Sequence, residues 1–210
     1  MGTLHQLKPM QTASPDPNCA TRTPTSDEPK RKWLNSEEME QLIKASRFGR
    51  NAERDSLMIM MGFRHGLRVS ELINLRWDQI NLRDGTIEIH RLKHGKMSIQ
   101  YLQPDEKRAL KKWRDAHPDE VLLFKSLLGQ KLNRGSFYAV MREAGKRAGF
   151  KFKVHPHQLR HSCGYVLGNE TNGGHGANTR VIQDFLGHRN IAHTAVYTDV
   201  NPNKFKTIWD

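Results

Sequence analysis

The chain has 210 residues, of which 36% are apolar and 27% are charged, and its formal net charge is +12 at pH 7. This length suits one domain with an additional tail. The chain has two cysteines, Cys19 and Cys163, so neither a disulfide framework nor a Cys-x-x-Cys metal motif is expected. The positive charge favours a polyanionic partner, above all nucleic acid, although a basic surface can also serve solubility alone.

The sequence lacks the signals of secretion and of membrane insertion. Its first residues lack the apolar run of a signal peptide, and no window approaches 18 apolar residues. We therefore expect a protein of the reducing cytoplasm with no membrane partner.

Residues 1–33 differ in composition from the rest of the chain. They contain five of the nine prolines, many Ser and Thr residues and little apolar periodicity, which predicts a disordered tail. The tail ends in the basic cluster Lys30-Arg-Lys32, which is either a solvated charge run or a contact for DNA phosphate. Residues 34–210 are predicted to form one folded domain.

Apolar periodicity and capping signals predict mainly helices. Asn35 followed by Glu38 is typical of a capping box at the start of the first helix. Ser136 is predicted to cap a later helix that ends at Gly149. The predicted helices run from residue 36 through Ile43, from Ala52 to Phe63, from Val69 to Leu75, from Pro104 to Arg114, from Ser136 to Ala148, and over residues 156–168, 178–187 and 191–198.

Two alternating segments predict a small sheet. Residues 86–90 and 97–102 alternate apolar and polar side chains around a turn that contains Gly95, which indicates an antiparallel β-hairpin. Residues 121–124 are predicted to form one further short strand. The expected fold class is α+β, mainly α-helical with a small antiparallel β-sheet.

Six residues combine into a site suited to phosphate chemistry. His157 and Arg160 are three residues apart and share one helix face, where the guanidinium can bind phosphate oxygens. Arg68 follows a glycine turn, with Glu71 placed to support it. Lys93, or alternatively Lys96, could protonate a leaving oxygen from the hairpin turn. The remaining candidates are His188 and Tyr197.

A phenol such as Tyr197 needs cationic neighbours to act as a nucleophile, because its ordinary pKa is about 10. Arginines and histidines around a phosphate can take the place of Mg²⁺, and no clustered carboxylates are present to bind that ion. His157 and His161 have a spacing that can hold Zn²⁺, but no Cys or carboxylate ligand accompanies them, and His161 fits better as a supporting or core residue. We therefore expect neither a metal nor a cofactor.

The order and spacing of these elements resemble the tyrosine recombinase (phage integrase) family over residues 35–205. Box I is Gly66-Leu-Arg-Val-Ser-Glu-Leu72, and box II runs from His157-Gln-Leu-Arg-His161 through Leu186-Gly-His188 to Tyr197. Arg91-Leu-Lys-His-Gly95 and the segment around His157 are similar to the short fimbrial phase-switch invertases in particular.

The resemblance implies the tyrosine recombinase catalytic fold and a role for each candidate residue. Tyr197 would be the nucleophile and would form a 3′-phosphotyrosine link, Arg68 and Arg160 would hold the phosphate with support from His157 and His188, and Lys93 would protonate the 5′ oxygen. No ATP would be needed.

The resemblance also implies partners and rival functions. Double-stranded DNA would be bound by a homo-oligomer, a tetramer on two synapsed sites, with possible accessory DNA-bending proteins, in the nucleoid. Only 67 residues precede Arg68, so a separate core-binding domain is not expected, and the loop predicted over residues 170–178 is expected to be longer than the corresponding link in the fimbrial group. The reaction would be DNA inversion or integration and excision. The alternatives are type IB-like DNA relaxation and a catalytically inactive DNA-binding regulator.

Overall fold

The computed structural model describes residues 32–91, 97–169 and 174–198. Within these ranges the chain forms helices around a small antiparallel sheet, so the predicted α+β class is confirmed. The helices are α1 (Ser36–Ser46), α2 (Ala52–Arg64), α3 (Val69–Leu72), α4 (Pro104–Ala116), α5 (Arg134–Arg147), α6 (Pro156–Gly168), α7 (Thr179–Leu186) and α8 (Ala192–Ala195). The strands are β1 (Ile80–Asn81), β2 (Thr86–His90) and β3 (Met97–Tyr101).

The start of α1 is set by the predicted capping box. The Asn35 side chain accepts a hydrogen bond of 2.8 Å from the Glu38 amide, and the Glu38 carboxylate accepts one of 2.9 Å from the Asn35 amide. Two amides that have no partner within the helix are thereby satisfied. Helices α4 and α6 each begin with a proline. A residue at the first helical position has no partner for its N–H within the helix, so the missing N–H of proline costs nothing there.

The two strands of the predicted hairpin are confirmed, and the turn between them lies outside the described residues. Thr86 pairs with Tyr101 and His90 pairs with Met97, and β1 adds a third strand on the other side of β2 that the sequence did not predict. Ile87 and Ile89 of β2 are buried, and Glu88 between them is exposed. Strand β2 therefore contributes an apolar face to the core.

A single large core joins the sheet to α1, α2, α4 and α5 and to one face of α6. All three methionines of α2, Met58, Met60 and Met61, are buried in it, where their flexible side chains fill the core. A second, smaller cluster lies between α6 and α7 and includes Cys163 and Tyr197. Among the candidate residues that the structure describes, Tyr197 belongs to this second cluster, and Arg160 donates to the carbonyl of its Leu186.

The segment that precedes α1 is bound to α6 through Trp33 and Leu34. The amide of Leu34, a fully buried residue, donates a hydrogen bond of 2.8 Å to Ser162 Oγ. The Trp33 ring stacks on Tyr165 with a centroid distance of 3.8 Å and an interplanar angle of 13°. The rest of the predicted tail lies outside the described residues, and the division into residues 1–33 and 34–210 stays a prediction.

Four local predictions were wrong. The helix predicted from Val69 to Leu75 ends at Leu72. The cap of α5 is Asn133, whose side chain accepts a hydrogen bond from the Ser136 amide, so the helix begins two residues before Ser136. Residues 121–124 form one isolated bridge between Arg76 and Leu122 instead of a strand. Only Ala192–Ala195 of the last predicted helix are helical.

None of the helices in the described ranges combines the length and the apolar run that crossing a membrane requires.

Candidate active site

The turn between α2 and α3 fixes the direction of Arg68. The Arg68 amide donates to Glu71 Oε2 and its Nη1 donates to Glu71 Oε1, each at 2.9 Å. The Glu71 carboxylate is buried, and the Arg68 side chain remains 27% exposed. The predicted support of Arg68 by Glu71 is therefore present, and the guanidinium can still reach a ligand.

Glycine at position 66 is required by the packing of this turn. Its φ angle is +55°, and a Cβ there would collide with Leu186 and approach Cys163 Sγ at 3.2 Å. The turn consequently lies against α6 and α7, which carry the other candidate residues.

Helix α6 presents Arg160 to the same turn. Arg160 is 2% exposed, its Nη1 donates to the Gly66 carbonyl, and its Nη2 donates to the Leu186 carbonyl, each at 2.6 Å. These bonds use two of the five N–H groups of a guanidinium, which leaves capacity for a phosphate. Arg160 thus links box I to the end of α7.

The end of α7 and the α8 turn position His188 and Tyr197. Gly187 ends α7 in the left-handed conformation, and His188 Nδ1 lies 2.9 Å from the buried Thr194 Oγ1. Ring centroids of His188 and Tyr197 are 6.3 Å apart with an interplanar angle of 23°. Tyr197 is 6% exposed and rests on Gly164, which lies in the middle of α6.

The Tyr197 hydroxyl binds His161, one turn of α6 beyond His157. The distance from the hydroxyl to His161 Nδ1 is 2.6 Å, and the rings of His161 and His157 meet edge to face with centroids 4.4 Å apart. The sequence indicated only a supporting or core role for His161. Its contact with Tyr197 spans 36 residues, so no local pattern could have identified it.

Burial and the arginine charges keep the histidines of the site neutral. Burial, followed by repulsion from Arg160 and Arg68, lowers the pKa of His188 to about 3. Burial and the neighbouring His157 lower the pKa of His161 to about 4. At neutral pH both imidazoles are therefore uncharged. Each can donate one hydrogen bond from one ring nitrogen and accept one at the other.

The arginines remain charged and the phenol remains protonated. Burial, together with repulsion from Arg68 and Arg91, lowers the pKa of Arg160 to about 9, which still leaves a cation at pH 7. Burial raises the pKa of Tyr197 above its ordinary value, and the charge of Arg160 opposes that rise. In this state Tyr197 is a phenol beside a cationic group rather than a phenolate.

Five of the six predicted site residues lie in the described ranges. Burial lowers the pKa of His157 and of His188, and repulsion from Arg160 and Arg68 lowers both further, so the two arginines lie near both histidines. Lys93 lies outside the described residues. Across the described ranges no group of three or more His, Cys, Asp or Glu side chains is placed to hold a metal ion.

Comparison with known proteins places this arrangement in a family. The model of the phage integrase family matches residues 32–204. The chain is 38% identical over 187 residues to the type 1 fimbriae regulatory protein FimE of Escherichia coli K12, and the match covers 86% of this chain and 92% of FimE. It is 30% identical over 193 residues to the tyrosine recombinase XerD of Pseudomonas putida, over 88% of this chain and 63% of XerD.

A solved structure gives the same result. The XerH site-specific recombinase bound to its difH substrate, in a pre-cleavage complex, superposes with a TM-score of 0.70 at 25% identity, over 86% of this chain and 55% of XerH. The chain thus spans little more than half of XerH but nearly the whole length of FimE. With its fold, its ordered motifs and these matches, the chain belongs to the phage integrase family of tyrosine recombinases.

Proposed function

We propose that this protein is a site-specific DNA recombinase that cleaves and rejoins DNA strands through a 3′-phosphotyrosine formed on Tyr197. The observation that supports the proposal most directly is the position of Tyr197, whose phenol lies against helix α6. That helix carries Arg160, which donates to the Gly66 carbonyl in the turn that precedes the linked Arg68–Glu71 pair. Such a site stabilises negative charge on phosphate without carboxylates that would bind a metal.

The proposed chemistry is a transesterification. The Tyr197 oxygen attacks the scissile phosphorus, the bond from phosphorus to the 5′ oxygen breaks, and the phenolic proton passes to water. The 5′ oxygen takes up a proton and departs as a hydroxyl. Because a phosphodiester is exchanged for a phosphotyrosyl ester, a 5′ hydroxyl of a second strand can reverse the step without ATP.

Arg68 and Arg160 would neutralise the non-bridging oxygens of the phosphate. Both are anchored before DNA binds, Arg68 by Glu71 and Arg160 by two main-chain carbonyls, so little reorganisation is needed in the transition state. Removal of one pre-organised donor typically costs roughly 10²- to 10³-fold in rate. His157 and His188 are neutral hydrogen-bonding groups in this proposal.

The proton for the leaving 5′ oxygen is assigned to Lys93, with Lys96 as the alternative. With pKa values of about 4 and about 3, His161 and His188 are almost entirely unprotonated at neutral pH, so neither can serve as the general acid. A lysine ammonium near the leaving oxygen would both donate the proton and offset the charge that develops there.

The proposed substrate is double-stranded DNA, bound by a tetramer on two synapsed sites with possible accessory DNA-bending proteins, in the nucleoid of the cytoplasm. The net charge of +12 and the XerH structure, which is a DNA complex, support a DNA partner. Because the motifs of this chain resemble those of the short fimbrial phase-switch invertases, we propose DNA inversion ahead of integration and excision.

A covalent-adduct assay tests the proposal. Wild-type protein and the variant Tyr197→Phe are incubated with labelled DNA fragments that flank the gene, and the products are separated under denaturing conditions. We expect a detergent-resistant adduct at the 3′ end of one strand with the wild-type protein and none with Tyr197→Phe. Binding without an adduct on any fragment would contradict the proposal and favour a catalytically inactive regulator.

The adduct alone does not separate recombination from type IB-like relaxation. A plasmid carrying two copies of the mapped site in inverted orientation provides that test. Recombination predicts inversion of the intervening DNA, whereas loss of supercoils without inversion would support relaxation.

A further inference from the structure

Arg91 ends the β2 side of the hairpin and is almost completely buried beneath the candidate site. It is 2% exposed, although it carries a guanidinium. Its Nη1 donates to Glu71 Oε2 at 2.8 Å, and its Nη2 donates to the Phe185 carbonyl at 2.5 Å and to the His65 carbonyl at 3.3 Å. Both ends of the fork are therefore held by groups from other elements.

Glu71 is shared between two arginines. Its Oε1 accepts from Arg68 Nη1, and its Oε2 accepts from the Arg68 amide and from Arg91 Nη1. A carboxylate that is bound on both oxygens cannot rotate about its terminal bond without breaking one of these interactions. The orientation of the Arg68 guanidinium therefore depends on Arg91 as well as on Glu71.

The other side of Arg91 reaches the end of α7. The Phe185 carbonyl that accepts from Arg91 also accepts a hydrogen bond of 3.0 Å from Gln100 Nε2, and the next carbonyl, that of Leu186, accepts from Arg160. A Cβ at Gly187 would lie 2.7 Å from Arg91 Cγ, so only glycine fits there. Arg91 therefore packs against the segment that leads into His188, and the bonds from Gln100 and Arg160 hold that segment independently of Arg91.

We propose that Arg91 is a positioning residue for strand cleavage, which holds Arg68 through Glu71 in the orientation that neutralises the scissile phosphate. The inference rests on the proposed function. Arg91 cannot bind the phosphate in this arrangement, because its side chain is only 1% exposed and its two terminal nitrogens are bound within the protein. Its effect on the reaction passes through Arg68.

The competing explanation is that Arg91 serves folding alone. A buried ion pair broken on one side is strongly destabilising, so a loss of activity by itself does not distinguish the two roles. The distinction requires a measurement that depends on the charge of the phosphate.

The substrate for this measurement is the mapped duplex with either an ordinary scissile phosphate or a methylphosphonate, in which a methyl group replaces one non-bridging oxygen and removes the negative charge. Single-turnover adduct rates are measured for wild type, Arg68→Ala, Arg91→Met, the double variant and the control Arg54→Met. Arg54 is 7% exposed, pairs with Asp55 and donates to the Lys125 carbonyl, so it provides a buried ion pair unconnected to the site.

On the ordinary phosphate we expect Arg91→Met to cleave about 10- to 100-fold more slowly than wild type, the scale of a misplaced catalytic group. On the methylphosphonate the defects of Arg68→Ala and Arg91→Met should both shrink, because a neutral phosphorus centre no longer needs the cation. The double variant should be no slower than Arg68→Ala, since Arg91 acts through Arg68. Any defect of Arg54→Met should be equal on both substrates.

The inference is overturned if methylphosphonate relieves Arg68→Ala but leaves the Arg91→Met defect unchanged, or if the two defects multiply in the double variant. If wild type forms no adduct, or if Arg68→Ala is not relieved, the proposed function itself fails. Should Arg91→Met not fold, Arg91→Lys takes its place. Lysine keeps the charge but lacks the fork, so it should retain folding and show a smaller defect that methylphosphonate still relieves.

Discussion

The contact between Gly164 and Tyr197 allows a sharp test of how the phenol is held. A Cβ at position 164 would lie 2.6 to 2.8 Å from three ring atoms of Tyr197, well inside van der Waals contact. Gly164 is in the interior of α6, so the substitution Gly164→Ala would otherwise favour the helix. The two effects have opposite signs and can be separated.

The expected magnitudes follow from these two terms. Alanine in place of glycine in a helix interior stabilises by about 1 kcal/mol. Overpacking against the Tyr197 ring costs about 1–3 kcal/mol, because the ring must move by several tenths of an ångström. Gly164→Ala should therefore be neutral to destabilising in the wild-type background. In a Tyr197→Ala background, where the ring is absent, the same change should stabilise by up to about 1 kcal/mol.

The assay is urea unfolding of four proteins: wild type, each single variant and the double variant. The coupling free energy between the two positions should be about 1–3 kcal/mol, the size expected for residues in direct contact. The single variant Gly164→Ala should also form the covalent adduct about 100-fold more slowly, since the phenol is displaced. Equal effects of Gly164→Ala in the two backgrounds, or an unchanged adduct rate, would refute the packing of Tyr197 on α6.

Two further predictions concern the start of α1 and the response to pH. Asn35→Ala should lower the free energy of unfolding by about 1 kcal/mol in urea titrations, whereas Asn35→Ser, which keeps an acceptor at the cap, should cost less; equal losses would argue against the cap. His161 and His188 have folded pKa values of about 4 and about 3, below the ordinary value near 6.5, so the unfolded chain binds more protons at mildly acidic pH. Stability is therefore complete above pH 6.5 and falls as the pH drops towards 4, by roughly 1–2 kcal/mol per histidine at pH 5. Comparison of unfolding midpoints at pH 7.5 and pH 5 should show a weaker dependence for His188→Gln than for wild type, and an identical dependence would contradict the pKa of His188.

Local signals predicted most of the secondary structure. The capping pair of Asn35 and Glu38 and the proline at position 104 act within one helical turn, so the sequence alone located the starts of α1 and α4. The alternation of residues 86–90 likewise identified β2. Each of these signals depends on neighbours a few residues away.

The errors arose where a distant segment or a competing residue decides. Asn133 displaces Ser136 as the cap of α5, although both residues are good caps and the sequence does not rank them. The amide of Leu123 donates to the Leu75 carbonyl, so the backbone of this segment is paired with a segment about fifty residues earlier. That distant pairing forms one bridge and no strand, and no local pattern could predict it.

The candidate site shows the same division. Arg68, His157, Arg160, His188 and Tyr197 could be predicted as candidates because their motifs are local and ordered along the chain. The buried role of Arg91 and the contact of His161 with the phenol were missed, because each depends on a partner far away in sequence: Phe185 for Arg91 and Tyr197 for His161.

The attachment of Leu34 to Ser162 has a consequence for protein synthesis. This hydrogen bond joins positions 128 residues apart, and the bond from Arg160 to the Gly66 carbonyl spans 94. A ribosome that has made the first three quarters of the chain has therefore produced Arg68 without the helix that faces it, and Tyr197 emerges later still. The proposed catalytic centre is therefore assembled only after nearly the whole sequence has been made, and a chain that ends before Tyr197 lacks the proposed nucleophile.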